Sequence, residues 1–204
     1  MIRKSNALIV DFGGVMTTDL FDSMRGFATR EGLPVESVVD LFTKNQEGAG
    51  ILASLERGDT SQLDFEAATG RLLGVSSKHL VPRILADLKP DNAMLETIDN
   101  IRTSGNKVVI LSNTWGLEPY NPYEPYDLDT RADAVLYSEL VRLRKPDPEI
   151  FRIAVERAAV TPTSCVFVDD IAHNLDPARD MGMRTIHHTN SATTVKLLTE
   201  AFNL

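Results

Sequence analysis

Four short clusters in the 204-residue chain hold side chains that can do chemistry together: Asp11-Phe12-Gly13-Gly14, Ser112-Asn113, Lys145-Pro146 and Asp169-Asp170. Three of them close an apolar run. Ala7-Leu8-Ile9-Val10 leads into Asp11, Lys107-Val108-Val109-Ile110-Leu111 into Ser112, and Cys165-Val166-Phe167-Val168 into Asp169. An aspartate is a weak nucleophile, yet it attacks an anionic centre when an ammonium group and a divalent cation neutralise the approaching charge. Oxygen donors of this kind suit a hard cation such as Mg2+. Taken singly, Asp11 reads as a helix cap or surface acid, Ser112-Asn113 as a strand-end turn, and Lys145-Pro146 as the start of a helix. Their occurrence together and in this order favours chemistry.

The elements that must position these residues are legible as an alternation. Runs at 7–10, 107–113, 133–138, 165–170 and 184–188 suit buried strands. Helical patterns lie between them: Asp91 to Thr103 opens on a capping aspartate, Pro148 to Ala159 has apolar residues at helical spacing, and Leu175 to Met181 stops at Gly182. Strands alternating with helices predict a parallel α/β sheet, whose ligands bind beyond the carboxyl ends of the strands. Three of the four polar clusters fall at those ends. From Thr17 to Lys89 the rhythm breaks into helical patterns alone, interrupted at Gly32-Leu33-Pro34, Gly58-Asp59-Thr60 and Gly74-Val75-Ser76. This predicts a helical insert, residues 17–89, lying over the polar edge of a core made of residues 1–16 and 90–204.

The four clusters, in their order, resemble those of the haloacid dehalogenase-like hydrolase superfamily. The segment Asp169 to Gly182 is similar to its counterpart in the phosphatase domain of soluble epoxide hydrolase and in bacterial sugar-phosphate phosphatases. The resemblance implies a Rossmann-like parallel sheet with helices on both faces and an inserted all-helical cap. It also implies a magnesium-dependent phosphatase acting on a small phosphorylated metabolite through an aspartyl-phosphate on Asp11. By position in the motifs, Asp11, the Gly13 carbonyl and Asp170 are the expected Mg2+ ligands, with Asp169 and Asn174 behind them. Ser112, the Asn113 backbone and Lys145 are the expected phosphate-binding groups.

One position departs from the pattern. Typical phosphatases of this superfamily have a second aspartate two residues after the nucleophile, as general acid and base, where this chain has Gly13. Losing positioned acid–base help costs about 10² to 10⁴ in rate. A hydroxyl or carboxylate of Thr17, Thr18 or Asp19, or an ordered water, is the expected replacement. The alternatives are a 2-haloacid dehalogenase, which uses the same nucleophile without a metal, and a non-catalytic phosphate or metal binder.

Composition narrows the partners. A net charge of −8 repels nucleic acid and anionic membrane, and a single cysteine, Cys165, rules out an intrachain disulfide. No stretch approaches the roughly 18 apolar residues of a membrane span. A cytoplasmic monomer or homodimer is expected. Cys165, His173, His187 and His188 read as structural or solvated residues, Trp115 and the aromatic stretch 118–126 as a lining for the site or a packed loop. Arg25, Arg30, Arg57, Asp22 and Glu47 are polar candidates on the insert, and Arg142 and Arg144 are candidates beside Lys145.

Overall fold

The structure, a computed structural model, describes residues 6–204; residues 1–5, which the expected core includes, lie outside the described residues. Five parallel strands, β1 (Ala7–Val10), β2 (Lys107–Ser112), β3 (Ala134–Tyr137), β4 (Cys165–Asp169) and β5 (Arg184–His187), form one sheet in the order β3-β2-β1-β4-β5. The run expected at 7–10 is β1 unchanged, and the other four are trimmed at their polar ends. Asn113 turns out of the ladder to hold another segment, and Ser138 begins a helix rather than ending a strand.

Between β1 and the next core helix the chain forms α1 (Leu20–Arg30), α2 (Ser37–Thr43), α3 (Gln46–Glu56), α4 (Gln62–Leu73) and α5 (Leu80–Ile84). These helices share a cluster of their own, built on Phe27, Phe42, Leu55, Phe65 and Ile84. The break between α2 and α3 has no glycine or proline to announce it. Asn45 makes it by capping α3, its side chain accepting the Gly48 amide at 3.0 Å. The two ends of the insert meet at an antiparallel bridge between Thr17 and Pro90.

The remaining helices are α6 (Asn92–Thr103), α7 (Leu128–Arg131), α8 (Ser138–Val141), α9 (Pro148–Ala158), α10 (Leu175–Asp180) and α11 (Ser191–Phe202). Side chains alternate across a strand, so a sheet covered on both faces needs apolar residues at every position. In β1, Leu8 and Val10 join Val108, Ile110, Val166 and Val168 beneath α6 and α11, while Ala7 and Ile9 join Val109, Leu111 and Phe167 beneath α9 and α10. The strand order also fixes the site. The chain steps outward from β1 to β2 and β3 on one side, then returns to β4 and β5 on the other, so a crevice opens at the carboxyl end of β1.

Candidate active site

Asp11 leaves β1 with its amide donating to the Val168 carbonyl at 2.9 Å, which holds the β1 and β4 ends side by side. Its Oδ1 accepts the Phe12 amide at 2.7 Å. Lys145 reaches it from the loop before α9, and Lys145 Nζ lies 2.7 Å from both Asp11 Oδ1 and Asp169 Oδ2. Only 1% of Lys145 is exposed, so one buried ammonium bridges two buried carboxylates. Asn113 sets the lysine's position: its Oδ1 accepts the Lys145 amide at 2.8 Å and its Nδ2 donates to the Lys145 carbonyl at 3.2 Å.

Asp169 is consumed by this framework. Its Oδ1 accepts the Ile171 amide at 2.8 Å and Asn174 Nδ2 at 3.0 Å, while Oδ2 meets Lys145. Asp170 is differently placed, against the turn after β1. Gly14 has φ of +74°, and a Cβ there would lie 2.3 Å from Asp170 Oδ2, so only glycine lets the turn approach that carboxylate. At Gly13 an added Cβ would meet nothing within 4 Å. Ser112 Oγ lies 2.9 Å from the Tyr123 hydroxyl, which burial holds far above its ordinary pKa and so keeps neutral.

The cluster holds more negative charge than it neutralises. Oxygens of Asp11, Asp169 and Asp170 come within 4.8 Å of one another around one ammonium. Burial pushes the Asp11 carboxyl up against the pull of Lys145, with Asp169 and Asp170 adding to the rise; Asp170 is raised by burial and then by Asp169. Burial alone would lower Lys145, but Asp11 and Asp169 outweigh it and hold the ammonium above its ordinary value.

Above the cluster lies a cavity of about 220 Å³ whose upper wall is apolar, including Phe21, Met24, Phe42 and Leu52 of the insert with Trp115 and Tyr123 of the core. Trp115 packs edge-on against Phe42 and Phe65, with ring centres 5.6 and 5.8 Å away. The structure thus brings together Asp11, Gly13, Ser112, Asn113, Lys145, Asp170 and Asn174 around one cavity, with Asp169 buried behind them.

Several other candidates lie elsewhere. Arg25 pairs with Asp22 and Glu36, Arg30 with Asp87, Arg57 with Asp59, and Glu47 with Arg71, all on the surface. Arg142 is exposed beside Asp59, and His173 is largely solvated beside Asp176. His187 contacts the Asp170 carbonyl, with Nε2 2.9 Å away. Cys165 is buried, its thiol pushed up to about 11 by desolvation. Arg144 does line the cavity, and with it Glu56, which the sequence did not single out. Its sequence signal is slight: Glu56 falls four residues after Leu52, on the same helix face, as many surface acids do.

Comparison with known proteins places this geometry in context. Residues 6–182 match the family model of the haloacid dehalogenase-like hydrolases. The chain is 28% identical over 204 residues to mouse acyl-CoA dehydrogenase family member 10, matching across 96% of its own length but spanning only 19% of that protein. It is 27% identical to D-ribitol-5-phosphate phosphatase of Bacteroides thetaiotaomicron, over 96% of this chain and 98% of that one. A crystal structure of a family enzyme from B. thetaiotaomicron, in complex with magnesium and inorganic phosphate, superposes with a TM-score of 0.65 at 22% identity, covering 90% of this chain and 93% of the other.

Proposed function

The chain belongs to the haloacid dehalogenase-like hydrolase family, and from that premise we propose that it is a magnesium-dependent phosphatase that cleaves a small phosphate monoester through an aspartyl-phosphate on Asp11. The observation that carries the reading is the surplus of carboxylates: Asp11, Asp169 and Asp170 gather around a single ammonium at the mouth of a cavity. Burial and mutual repulsion raise the Asp11 and Asp170 carboxyls, a cost that a bound cation would relieve. A hard cation fits this arrangement, since oxygen donors at this charge density suit Mg2+. Asp11, the Gly13 carbonyl and Asp170 would hold the ion, with Asp169 and Asn174 fixing the loop behind. When bound, Mg2+ supplies charge neutralisation for the phosphoryl oxygens.

The chain's own groups do the rest. Asp11 supplies the nucleophilic oxygen, which Lys145 holds in position and pulls toward its ionised form against the effect of burial. Lys145 also lies where it would accompany the incoming phosphoryl group, with the Ser112 hydroxyl and the Asn113 backbone as further donors. Residues 17–89 act as the cap, closing the site from water and contacting the organic part of the substrate. The cavity's apolar wall and Gly13 also suit a 2-haloacid dehalogenase, but that chemistry leaves the third carboxylate unexplained.

The test is phosphate release from a panel of phosphate monoesters, with and without Mg2+, by the wild type and Asp11→Asn, alongside halide release from 2-chloropropionate. Mg2+-dependent phosphate release that Asp11→Asn abolishes is expected. Release that survives the substitution, or halide release without phosphate release, contradicts the reading.

A further inference from the structure

We propose that Glu56, contributed by the helical insert, is the proton donor and acceptor of this reaction, in place of the side chain that Gly13 lacks; the inference rests on the phosphatase reading above. The residues next in sequence to the nucleophile are committed elsewhere. Thr17 Oγ1 accepts the Gly14 amide at 3.0 Å and donates to the Thr18 carbonyl at 2.9 Å. Thr18 Oγ1 accepts the Lys89 amide at 3.1 Å, and Asp19 caps α1 by accepting the Phe21 and Asp22 amides. All three border a separate depression beside His187 and His188, not the cavity over Asp11.

Glu56 borders the cavity itself. It ends α3 with 5% of its surface exposed and lines the cavity from the insert, the part of the chain proposed above to contact the organic part of the substrate. Its position is tied to the core. The Glu56 carbonyl accepts the Ser138 hydroxyl, whose oxygen in turn accepts the Thr114 amide at 2.9 Å. Its carboxylate is in ion-pair contact with the side chain of Arg144, the residue before Lys145, and both residues line the cavity. A buried acid fixed by an ion pair at the border of the cavity is placed to meet a ligand there.

Its protonation suits the task. Burial pushes the Glu56 carboxyl up to about 7, against the pull of Arg144 and Lys145 and with Asp11 adding to the rise. A donor with that value holds its proton near neutrality and releases it readily. In the first half-reaction an Asp11 oxygen bonds to phosphorus, the bond from phosphorus to the leaving oxygen breaks, and Glu56 gives its proton to that oxygen. In the second, the Glu56 carboxylate takes a proton from water as the water oxygen bonds to phosphorus and the bond to Asp11 breaks. Glu56 ends protonated and Asp11 ends free.

Two substrates separate this role from a structural one: benzyl phosphate, whose alkoxide leaves poorly unprotonated, and 4-nitrophenyl phosphate, whose phenolate needs no proton. With Mg2+ present, Glu56→Gln should lower kcat/KM for benzyl phosphate relative to 4-nitrophenyl phosphate by about 10² to 10⁴-fold. Gly13→Asp in the same chain should restore much of that ratio, because the position has open space for a side chain. In the wild type the ratio should fall as pH rises through about 7, a measurement that needs no variant and cancels titrations common to both substrates. Equal losses on both substrates, or a wild-type ratio flat from about pH 5 to about pH 9, overturn the assignment. If neither substrate gives Asp11-dependent phosphate, the phosphatase reading itself has failed.

Discussion

Lys145 is the residue on which the site's electrostatics turn. Replacing it with methionine keeps the length of the side chain but leaves Asp11 and Asp169 buried without their cation. At neutral pH that should cost about 3–5 kcal/mol of stability, the usual penalty for breaking a buried pair from one side. The abandoned carboxyls can recover by taking protons, so the loss should shrink as pH falls. Urea unfolding at about pH 5 and about pH 8 checks this, and a loss of equal size at both would show that packing, not charge, is what Lys145 supplies. At this scale much of the site was legible. Asp11, Ser112 and Asp169 each end an apolar run, and although each has an ordinary structural reading alone, their conjunction in this order pointed to one polar edge. Glu56 was not legible in the same way. It is one acid among many on helical segments, and only tertiary packing shows that it is buried while Glu47, on the same helix, is paired at the surface with Arg71.

At the scale of elements, the turn after β1 and the end of β4 are matched through a glycine and an acid. Gly14→Ala would place a methyl 2.3 Å from Asp170 Oδ2 at a φ of +74°, so the turn and the carboxylate must part. The strain costs about 1–2 kcal/mol, but the more telling effect is on metal binding. With Mg2+ at about 100 times its Kd, the wild type should gain about 5–10 °C in Tm, and Gly14→Ala should lose most of that gain. The gain should also depend on pH. Without metal, the folded chain holds the Glu56 proton up to about pH 7 against an ordinary value of 4.5, and Asp11 and Asp170 shift in the same direction. These groups stabilise the fold below their ordinary values and lose that contribution as pH rises through about 7 to 8. Mg2+ needs its ligands deprotonated, so its stabilisation should grow over the same interval. Thermal melts with and without Mg2+ across that range check both signs; a Mg2+ gain largest in acid would contradict them. The strands were legible to within a residue or two because a sheet covered on both faces demands unbroken apolar runs. The α2–α3 break was harder to read, because a single capping asparagine made it.

For the whole molecule, the question is how firmly the insert is joined to the core. Gln62, at the start of α4, is 2% exposed and spans the seam: its Nε2 donates to the Trp115 and Tyr120 carbonyls at 2.8 and 3.0 Å, and its Oε1 accepts the Tyr120 amide at 3.0 Å. Gln62→Ala leaves these backbone groups unpaired beside the Trp115–Phe42–Phe65 cluster and should cost about 1–3 kcal/mol. Hydrogen exchange should rise in the segment from Trp115 to Tyr126 ahead of the sheet; a uniform rise would show that the seam is not a separate weak point. The sequence placed the insert after β1, but it did not reveal this seam. Gln62 and Trp115 are 53 positions apart, and no periodic pattern joins residues at that separation. No helix among the described residues is long and apolar enough to cross a membrane.

The central claim is that Asp11 becomes phosphorylated during turnover, and acid-quenched mass spectrometry tests it most directly. The wild type mixed with 4-nitrophenyl phosphate and Mg2+, then stopped in acid, should yield a peptide containing Asp11 that carries one phosphoryl group, removable by hydroxylamine and absent from Asp11→Asn. Mg2+-dependent phosphate release with no phosphoryl group on that peptide under single-turnover conditions, or a label that persists in Asp11→Asn, would contradict the account.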